Sequence, residues 1–227
     1  NRRRYWTRAL VGYDEFARAR PNAAHDAVAA LQGLGIASTV ITQNVDGLHE
    51  QTSDDVVALH GRGDRVVCLT CGATGDRGEY HALLKERNAF ASVPSSPHQQ
   101  RRPDGDAELR GGAKLLTELP PCAACGTGTL KPDVVFFGDT VPQHRVDRCY
   151  DALRHADGLL VCGSSLAVYS AFRFVLYAAG RSSASSRRLP ICVLNRGTTR
   201  ADLEAIPMLK LDADLDALST SVELLSS

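Results

Sequence analysis

Apolar positions fall along this chain in two alternating rhythms. Between residues 23 and 34 they recur at helical spacing, with Ala24, Ala27, Val28 and Leu31 on one side. Gly33 and Gly35 then stop the helix. Residues 36–41, Ile-Ala-Ser-Thr-Val-Ile, form a β-branched run that reads as a buried strand. The same alternation returns later. A strand-like run at 130–137 precedes an amphipathic helix at 142–155, with Val146, Cys149, Tyr150 and Leu153 on one side. Apolar strands at 158–162 and 189–194 flank a helix at 170–179, and a strand at 207–211 leads into a helix at 213–224. Strands alternating with helices build parallel sheets. The predicted fold class is therefore α/β, a Rossmann-like doubly wound parallel sheet whose strands end in small or amide residues.

Other stretches depart from that rhythm. Residues 1–20 mix aromatics with arginine and predict a helix with a wet face, broken at Pro21-Asn22. Residues 56–60 and 65–69 look like short strands around a glycine-rich turn. Arg62-Gly63-Asp64 within that turn spells an adhesion tripeptide, which is read as chance. A short helix is expected at 80–90, and 91–112 reads as an exposed, flexible insertion of Ser, Pro, Gln, Arg, Asp and Gly. Gly33-x-Gly35 precedes its strand and lacks a third glycine, so it reads as a helix stop and not a dinucleotide loop.

Composition narrows the function classes. The 227 residues carry 26 basic and 26 acidic side chains, for a formal net charge of zero. Nucleic-acid grooves and anionic membrane surfaces favour a basic excess, so neither partner is expected. No apolar run approaches the roughly 20 residues of a membrane span. The sequence opens without an initiator Met, and a start in mid-protein is expected. Seven cysteines, an odd number without a visible secretion signal, point to a reducing, intracellular setting. Cys162 and Cys192 lie in apolar runs and are expected in the core.

Four of the seven form Cys68-x-x-Cys71 and Cys122-x-x-Cys125. A two-residue gap lets both thiolates of a knuckle reach one ion, and Gly72 and Gly126 permit the tight turn. Four thiolates close the coordination shell, which predicts one structural zinc ion. A redox dithiol or two unrelated pairs are the alternatives. The expected domains are a nucleotide-type domain from residues 1–64 and 127–227, and a zinc-binding module at 65–126.

The polar end of the strand at 36–41 holds the candidate chemistry. Thr42-Gln43-Asn44-Val45-Asp46-Gly47-Leu48-His49 is followed by Leu59-His60-Gly61. In open α/β sheets ligands bind at such strand ends. Taken alone, His60 would be a turn histidine, and Asn44 and Asp46 would cap the following segment. His25, His49, His144 and His155 read as surface or helix-flank residues.

In their order these segments resemble the sirtuins. The resemblance rests on Thr42-Gln43-Asn44-Val45-Asp46, Leu59-His60-Gly61, both cysteine pairs and the stretch from Lys131 to Asp139. It extends to Gly163-Ser164-Ser165-Leu166 and Leu194-Asn195-x-Gly197, covering roughly residues 5 to 218. Arg4-Tyr5-Trp6, Val168-Tyr169-Ser170 and residues 197–202 look most like the class II branch. The resemblance implies a protein lysine deacylase that uses NAD, cleaving nicotinamide and passing the acyl group to ADP-ribose. It implies His60 as general base, with Asn44 and Asp46 orienting ribose, water and the nicotinamide carboxamide. Gln43, Val45, Gly163, Ser164, Ser165, Asn195, Arg196, Gly197 and Leu215 would complete the NAD contacts. Acyl-lysine peptides would add as a strand between residues 134–139 and 166–170, touching Val135, Phe136 and Gly138. A monomer in the mitochondrial matrix is the corresponding expectation.

One part of the family pattern is not found. Sirtuins begin with a strand and a Gly-Ala-Gly loop for the NAD phosphates, so the first βα unit is expected to be missing here and the chain to be an N-terminally truncated form. Two other readings stay open: a non-catalytic zinc-bearing binding module, and ADP-ribosyl transfer or lipoamide removal on the same fold.

Overall fold

The computed structural model describes residues 2–88, 115–182 and 187–226. The insertion expected at 91–112 lies outside the described residues. In chain order the elements begin with α1 (Arg2–Phe16), α2 (Ala23–Gly33), β1 (Val40–Thr42) and β2 (Val56–Ala58). β3 (Gly61–Cys68), β4 (Thr74–Asp76), α3 (Arg77–Arg87) and β5 (Leu130–Val134) follow. The chain continues with α4 (Gln143–His155), β6 (Leu159–Cys162) and α5 (Tyr169–Ala178). It ends with β7 (Ile191–Leu194), α6 (Arg200–Leu203), β8 (Leu209–Leu211) and α7 (Asp216–Ser226). Among the described residues no helix is long and apolar enough to cross a membrane.

The described residues divide into two compact units. One comprises the residues up to Arg20, Asn44–Gly47 and Gly61–Phe136. Its sheet is antiparallel, in the order β4-β3-β5. Trp6, Ala9 and Leu10 of α1 pack with Val66 of β3, Tyr80 and Leu84 of α3, and Leu116. Leu84 and Leu116 are fully buried, and each is worth about 2 kcal/mol of apolar transfer. The Trp6 indole N–H donates to the Leu130 carbonyl at 3.3 Å, so its one polar atom is satisfied. Arg77 is buried with its guanidinium 4.7 Å from both the Trp6 and Tyr13 rings. Stacking on two aromatic faces compensates a cation that has left water.

The second unit comprises Pro21–Gln43, Leu48–His60 and Phe137–Ser227. It carries the parallel strands, β1 beside β2 and a three-stranded sheet β6-β7-β8. Along β7 the side chains alternate. Leu194 joins Ala27 and Leu31 of α2 and Leu218 and Val222 of α7 in one apolar cluster, while Ile191 and Val193 point to the opposite face. On α4, Val146, Cys149 and Leu153 are buried as the periodicity predicts, and Tyr150 meets Phe174 and Tyr177 of α5.

Several expectations need correction. The first parallel strand starts at Val40, not at 36. Gly35 takes a positive φ of 71°, and the amides of Ile36 and Ala37 turn back to the Leu31 carbonyl. Those amides end α2 and are lost to any sheet, which supports the helix-stop reading of the glycines. The segments at 56–60 and 65–69 are not partners around a turn: β2 pairs with β1, and β3 pairs with β4 and β5. The strand expected at 130–137 stops at Val134 because its partner β3 begins opposite, at Gly61. His25, expected at the surface or at a helix flank, lies at a helix flank and is buried; it closes a capping box with Asn22 at the start of α2. Cys162 and Cys192 are half-buried.

Candidate active site and metal centre

In the parallel unit, β1 and β2 run in register from Val40 opposite Val56 to Thr42 opposite Ala58. The Leu59 amide donates to the Thr42 carbonyl at 2.9 Å and extends the pairing by one step. Gln43 and His60 therefore leave the sheet together at its carboxyl end. His60 Nδ1 lies 3.2 Å from the Gln43 carbonyl oxygen. A carbonyl only accepts, so Nδ1 carries the proton and Nε2 presents its lone pair. Nε2 lies 2.8 Å from Ser170 Oγ. Burial moves the imidazole pKa below its usual 6.5, the Gln43 carbonyl opposes this, and the charge of Arg145 adds to the lowering. The ring is held neutral near pH 7, the state a general base needs.

The carboxyl ends of β6 and β7 contribute next to it. The Gly163 amide donates to the Leu194 carbonyl at 2.9 Å, and Gly163 turns with a φ of 59°. A Cβ at Gly163 would come within 3.0 Å of Leu215 Cδ1, so Leu215 lies directly over this turn. Gln43 Nε2 donates to Ser164 Oγ at 2.8 Å, and the Leu166 amide donates to the same oxygen at 3.1 Å. One hydroxyl thus ties the end of β1 to the end of β6. The Asn195 amide donates to the Leu211 carbonyl at the end of β8, and the next two residues are tied to the segment after it: Arg196 pairs with Asp214, and the Gly197 amide donates to Asp212. The Ser165 carbonyl accepts from the Arg200 amide. The structure brings together Gln43, His60, Ser164 and Ser170, and separately Gly163 with Leu215. Sequence reading placed Ser170 at a helix start and at the end of the peptide-flanking segment 166–170, without a contact to His60; nothing in its local sequence signals a contact with a histidine 110 residues earlier. Gly138, the third expected substrate contact, belongs to the parallel unit and turns with a φ of 91°.

The antiparallel unit holds Asn44, Val45 and Asp46. The Val45 carbonyl accepts from the Gly63 amide at 2.6 Å. A Cβ on Gly63 would lie 2.7 Å from Phe16 Cζ and 3.0 Å from the Val45 oxygen. Gly63 is thus what lets β3 approach the 44–47 loop, and its neighbours Arg62 and Asp64 form an ion pair with each other. Val135 is half-buried, and the Phe136 ring sits edge-on to Tyr5 at 5.4 Å with Lys131 Nζ 5.2 Å from its centroid.

The same unit gathers the four cysteines. Cys68, Cys71, Cys122 and Cys125 place all four sulfurs within 4.8 Å of one another. The Cys68–Cys125 and Cys71–Cys122 sulfur pairs are each 3.8 Å apart. A tetrahedron with Zn–S near 2.3 Å has sulfur–sulfur edges of about 3.8 Å, so the cluster fits zinc. Backbone amides aim at the sulfurs as they do around thiolates. Those of Cys71 and Thr70 bring the Cys68 thiol down to about 6, and those of Thr127 and Gly128 lower Cys125, while Cys71, hydrogen-bonded to the neighbouring sulfurs, is pushed up to about 11. Gly72 and Gly126 both take the positive φ expected of the knuckle turns. Gly128, which sequence reading passed over, sits against the cluster: a Cβ there would fall 2.2 Å from Cys68 Sγ.

The Sir2 family model matches residues 2–170. NAD-dependent protein deacetylase 1 of Streptomyces coelicolor is 48% identical over 212 residues, which is 92% of this chain and 67% of that protein. An NAD-dependent protein deacetylase of Bordetella bronchiseptica is 47% identical over 203 residues, 88% of this chain and 70% of the relative. A solved structure of a Sir2 protein with a p53 peptide and NAD+ aligns with a TM-score of 0.67 at 26% identity, over 93% of this chain and 72% of that one. A second, from work on the mechanism and regulation of Sir2 enzymes, aligns with a TM-score of 0.64 at 30% identity over 91% and 70%. These relatives are bacterial and give the expected mitochondrial address no support.

Proposed function

The chain belongs to the Sir2 family, and on that premise we propose that it is an NAD-dependent protein lysine deacylase. The observation that carries this reading is His60 at the carboxyl end of the parallel strands, with Nδ1–H fixed on the Gln43 carbonyl and Nε2 left as the unprotonated, proton-accepting nitrogen. Relatives 47–48% identical to it are named NAD-dependent protein deacetylases, and a structural neighbour holds peptide and NAD+.

When bound, NAD supplies an electrophilic ribose carbon with nicotinamide as its leaving group. The chain's residues do the rest of the work. His60 takes the proton of a ribose hydroxyl at Nε2. Gln43 and Ser164, already hydrogen-bonded to each other, present an amide and a hydroxyl for the ribose side. Asn44 and Asp46 orient ribose and carboxamide, and Val45 shapes the loop between them. Ser165 offers a backbone amide at a strand end, where phosphate is readily held, and Gly163, whose own amide is bonded to the Leu194 carbonyl, makes the turn that brings the cofactor close. Asn195, Arg196, Gly197 and Leu215 take the adenosine end. Val135, Phe136 and Gly138 receive the acyl-lysine strand, with main-chain hydrogen bonds giving affinity for many sequences. The four cysteines hold one structural zinc ion outside the chemistry. A zero net charge gives no electrostatic pull towards nucleic acid, and the reading needs only a monomer. A mitochondrial address would rest on the class II resemblance alone.

The test is nicotinamide release from NAD. It is expected only when an acetyl-lysine peptide is supplied, and His60→Ala is expected to lose about 100- to 10,000-fold. Equal release by the variant would overturn the assignment of the base.

A further inference from the structure

We propose that Ser170 is a positioning residue for the base: a hydroxyl that holds the His60 ring through both of its protonation states. The inference rests on the deacylase reading and goes beyond it, because no part of that reading requires a group on Nε2 other than the substrate.

The geometry is specific. Gln43 can only accept at its carbonyl, so it fixes the proton on Nδ1. In the resting enzyme Ser170 must then donate its O–H to the Nε2 lone pair, across 2.8 Å. For the transfer the Ser170 O–H turns off the single Nε2 lone pair and the ribose hydroxyl donates there in its place. Once that proton has moved to Nε2, both ring nitrogens are donors. The Gln43 carbonyl keeps the Nδ1–H, and Ser170 Oγ turns from donor to acceptor for the Nε2–H. A hydroxyl can do this by rotating one bond, with no movement of the ring. The proton itself stays on Nε2, and Ser170 neither loses nor gains one.

The setting makes that reversal useful. Ser170 is the second residue of α5, whose N-cap residue Val168 provides no side-chain hydrogen bond to the helix start. The imidazole thus meets the positive end of a ten-residue helix, which disfavours the imidazolium. Burial and Arg145 of α4 act in the same direction. Among the described residues, Arg145 is the charged group acting on the ring, while Gln43 and Ser170 are neutral. A base pushed towards neutrality is available but poor at keeping its proton. The Ser170 oxygen is the acceptor that lets the charged form arise there. A hydrogen bond to an ion is about twice as strong as one between neutral groups, so Ser170 favours the imidazolium on balance.

The experiment compares Ser170→Ala and Ser170→Thr in the full chain, by steady-state kinetics and by NMR titration of the His60 imidazole. For Ser170→Ala, kcat is expected to fall about tenfold with KM little changed, and the imidazole titration to move to lower pH. Ser170→Thr keeps the hydroxyl and should restore both. Wild-type kcat and an unmoved titration in Ser170→Ala would overturn the proposal. So would a loss that Ser170→Thr fails to rescue while its circular dichroism matches wild type. The titration needs no turnover. If His60→Ala keeps full activity, the deacylase assignment of the base fails, while a shifted titration in Ser170→Ala still establishes the contact.

Discussion

A single methyl group on Gly128 would sit 2.2 Å from Cys68 Sγ and 2.8 Å from Cys125 Sγ, inside the volume the two sulfurs occupy. Gly128→Ala is therefore expected to weaken zinc binding by at least tenfold, measured by competition with a chromophoric chelator. Retained affinity would show that the knuckle can open without cost. Gly126→Ala is the useful contrast, since its φ of 75° is strained for alanine but no atom crowds the site. It should cost about 1–2 kcal/mol of stability and keep the metal. The contrast also marks what could be read from the sequence. The cysteine pairs were legible because zinc chemistry fixes a spacing within a few residues. Gly63, Gly128 and Ser170 were not, because each owes its importance to an atom far along the chain. His60 was singled out through its neighbours Leu59 and Gly61, but the tautomer that suits it to the proposed role of base comes from the Gln43 carbonyl.

At the scale of elements, helices were easier to foresee than strands. The period of α4 buries Val146, Cys149 and Leu153 as expected, whereas the short runs at 36–41 and 56–60 gave little sign of register or partner. The four-residue helix α6 escaped notice entirely, and its stability is local. Thr199 caps it and is buried, with Asp202 reaching back to the Thr199 amide at 2.7 Å. Thr199→Ala should cost about 1 kcal/mol, read as a lowered Tm by circular dichroism. Asp202 also accepts from Lys210 at 2.7 Å. That bond, and then those from Thr199, lower the Asp202 pKa from 3.8 to about 2. Because the folded pKa is the lower one, this contribution is fully present above pH 3.8 and is lost as pH falls towards 2. Asp202→Asn should flatten the stability-against-pH curve in that window. An unchanged slope would show that the carboxylate is not coupled to folding.

For the whole molecule, the question is what holds the antiparallel unit together. Among the described residues its apolar cluster is small: Trp6, Ala9, Leu10, Val66, Tyr80, Leu84 and Leu116, with Tyr5, Leu119 and Leu130 against it. A core of that size rarely supplies more than about 5 kcal/mol, and a structural metal is one of the ways small units make up the difference. Zinc joins the turn after β3 to the segment before β5, two strands that already pair from Cys68 opposite Leu130. Removing the ion leaves four thiols crowded against one another, where only the tetrahedral metal made that spacing favourable. The chain's one tryptophan lies inside this unit, 2% exposed, so its emission reports on that core and not on the parallel sheets. Extraction with a strong chelator is expected to release one zinc per chain and shift Trp6 emission to the red. Hydrogen exchange should meanwhile stay slow at the β6–β7–β8 amides, whose sheet depends on α2, α7 and Leu194 and not on cysteine ligands. If metal analysis shows the ion gone while Trp6 emission is unchanged, the unit folds without zinc and the cysteines must be explained in another way.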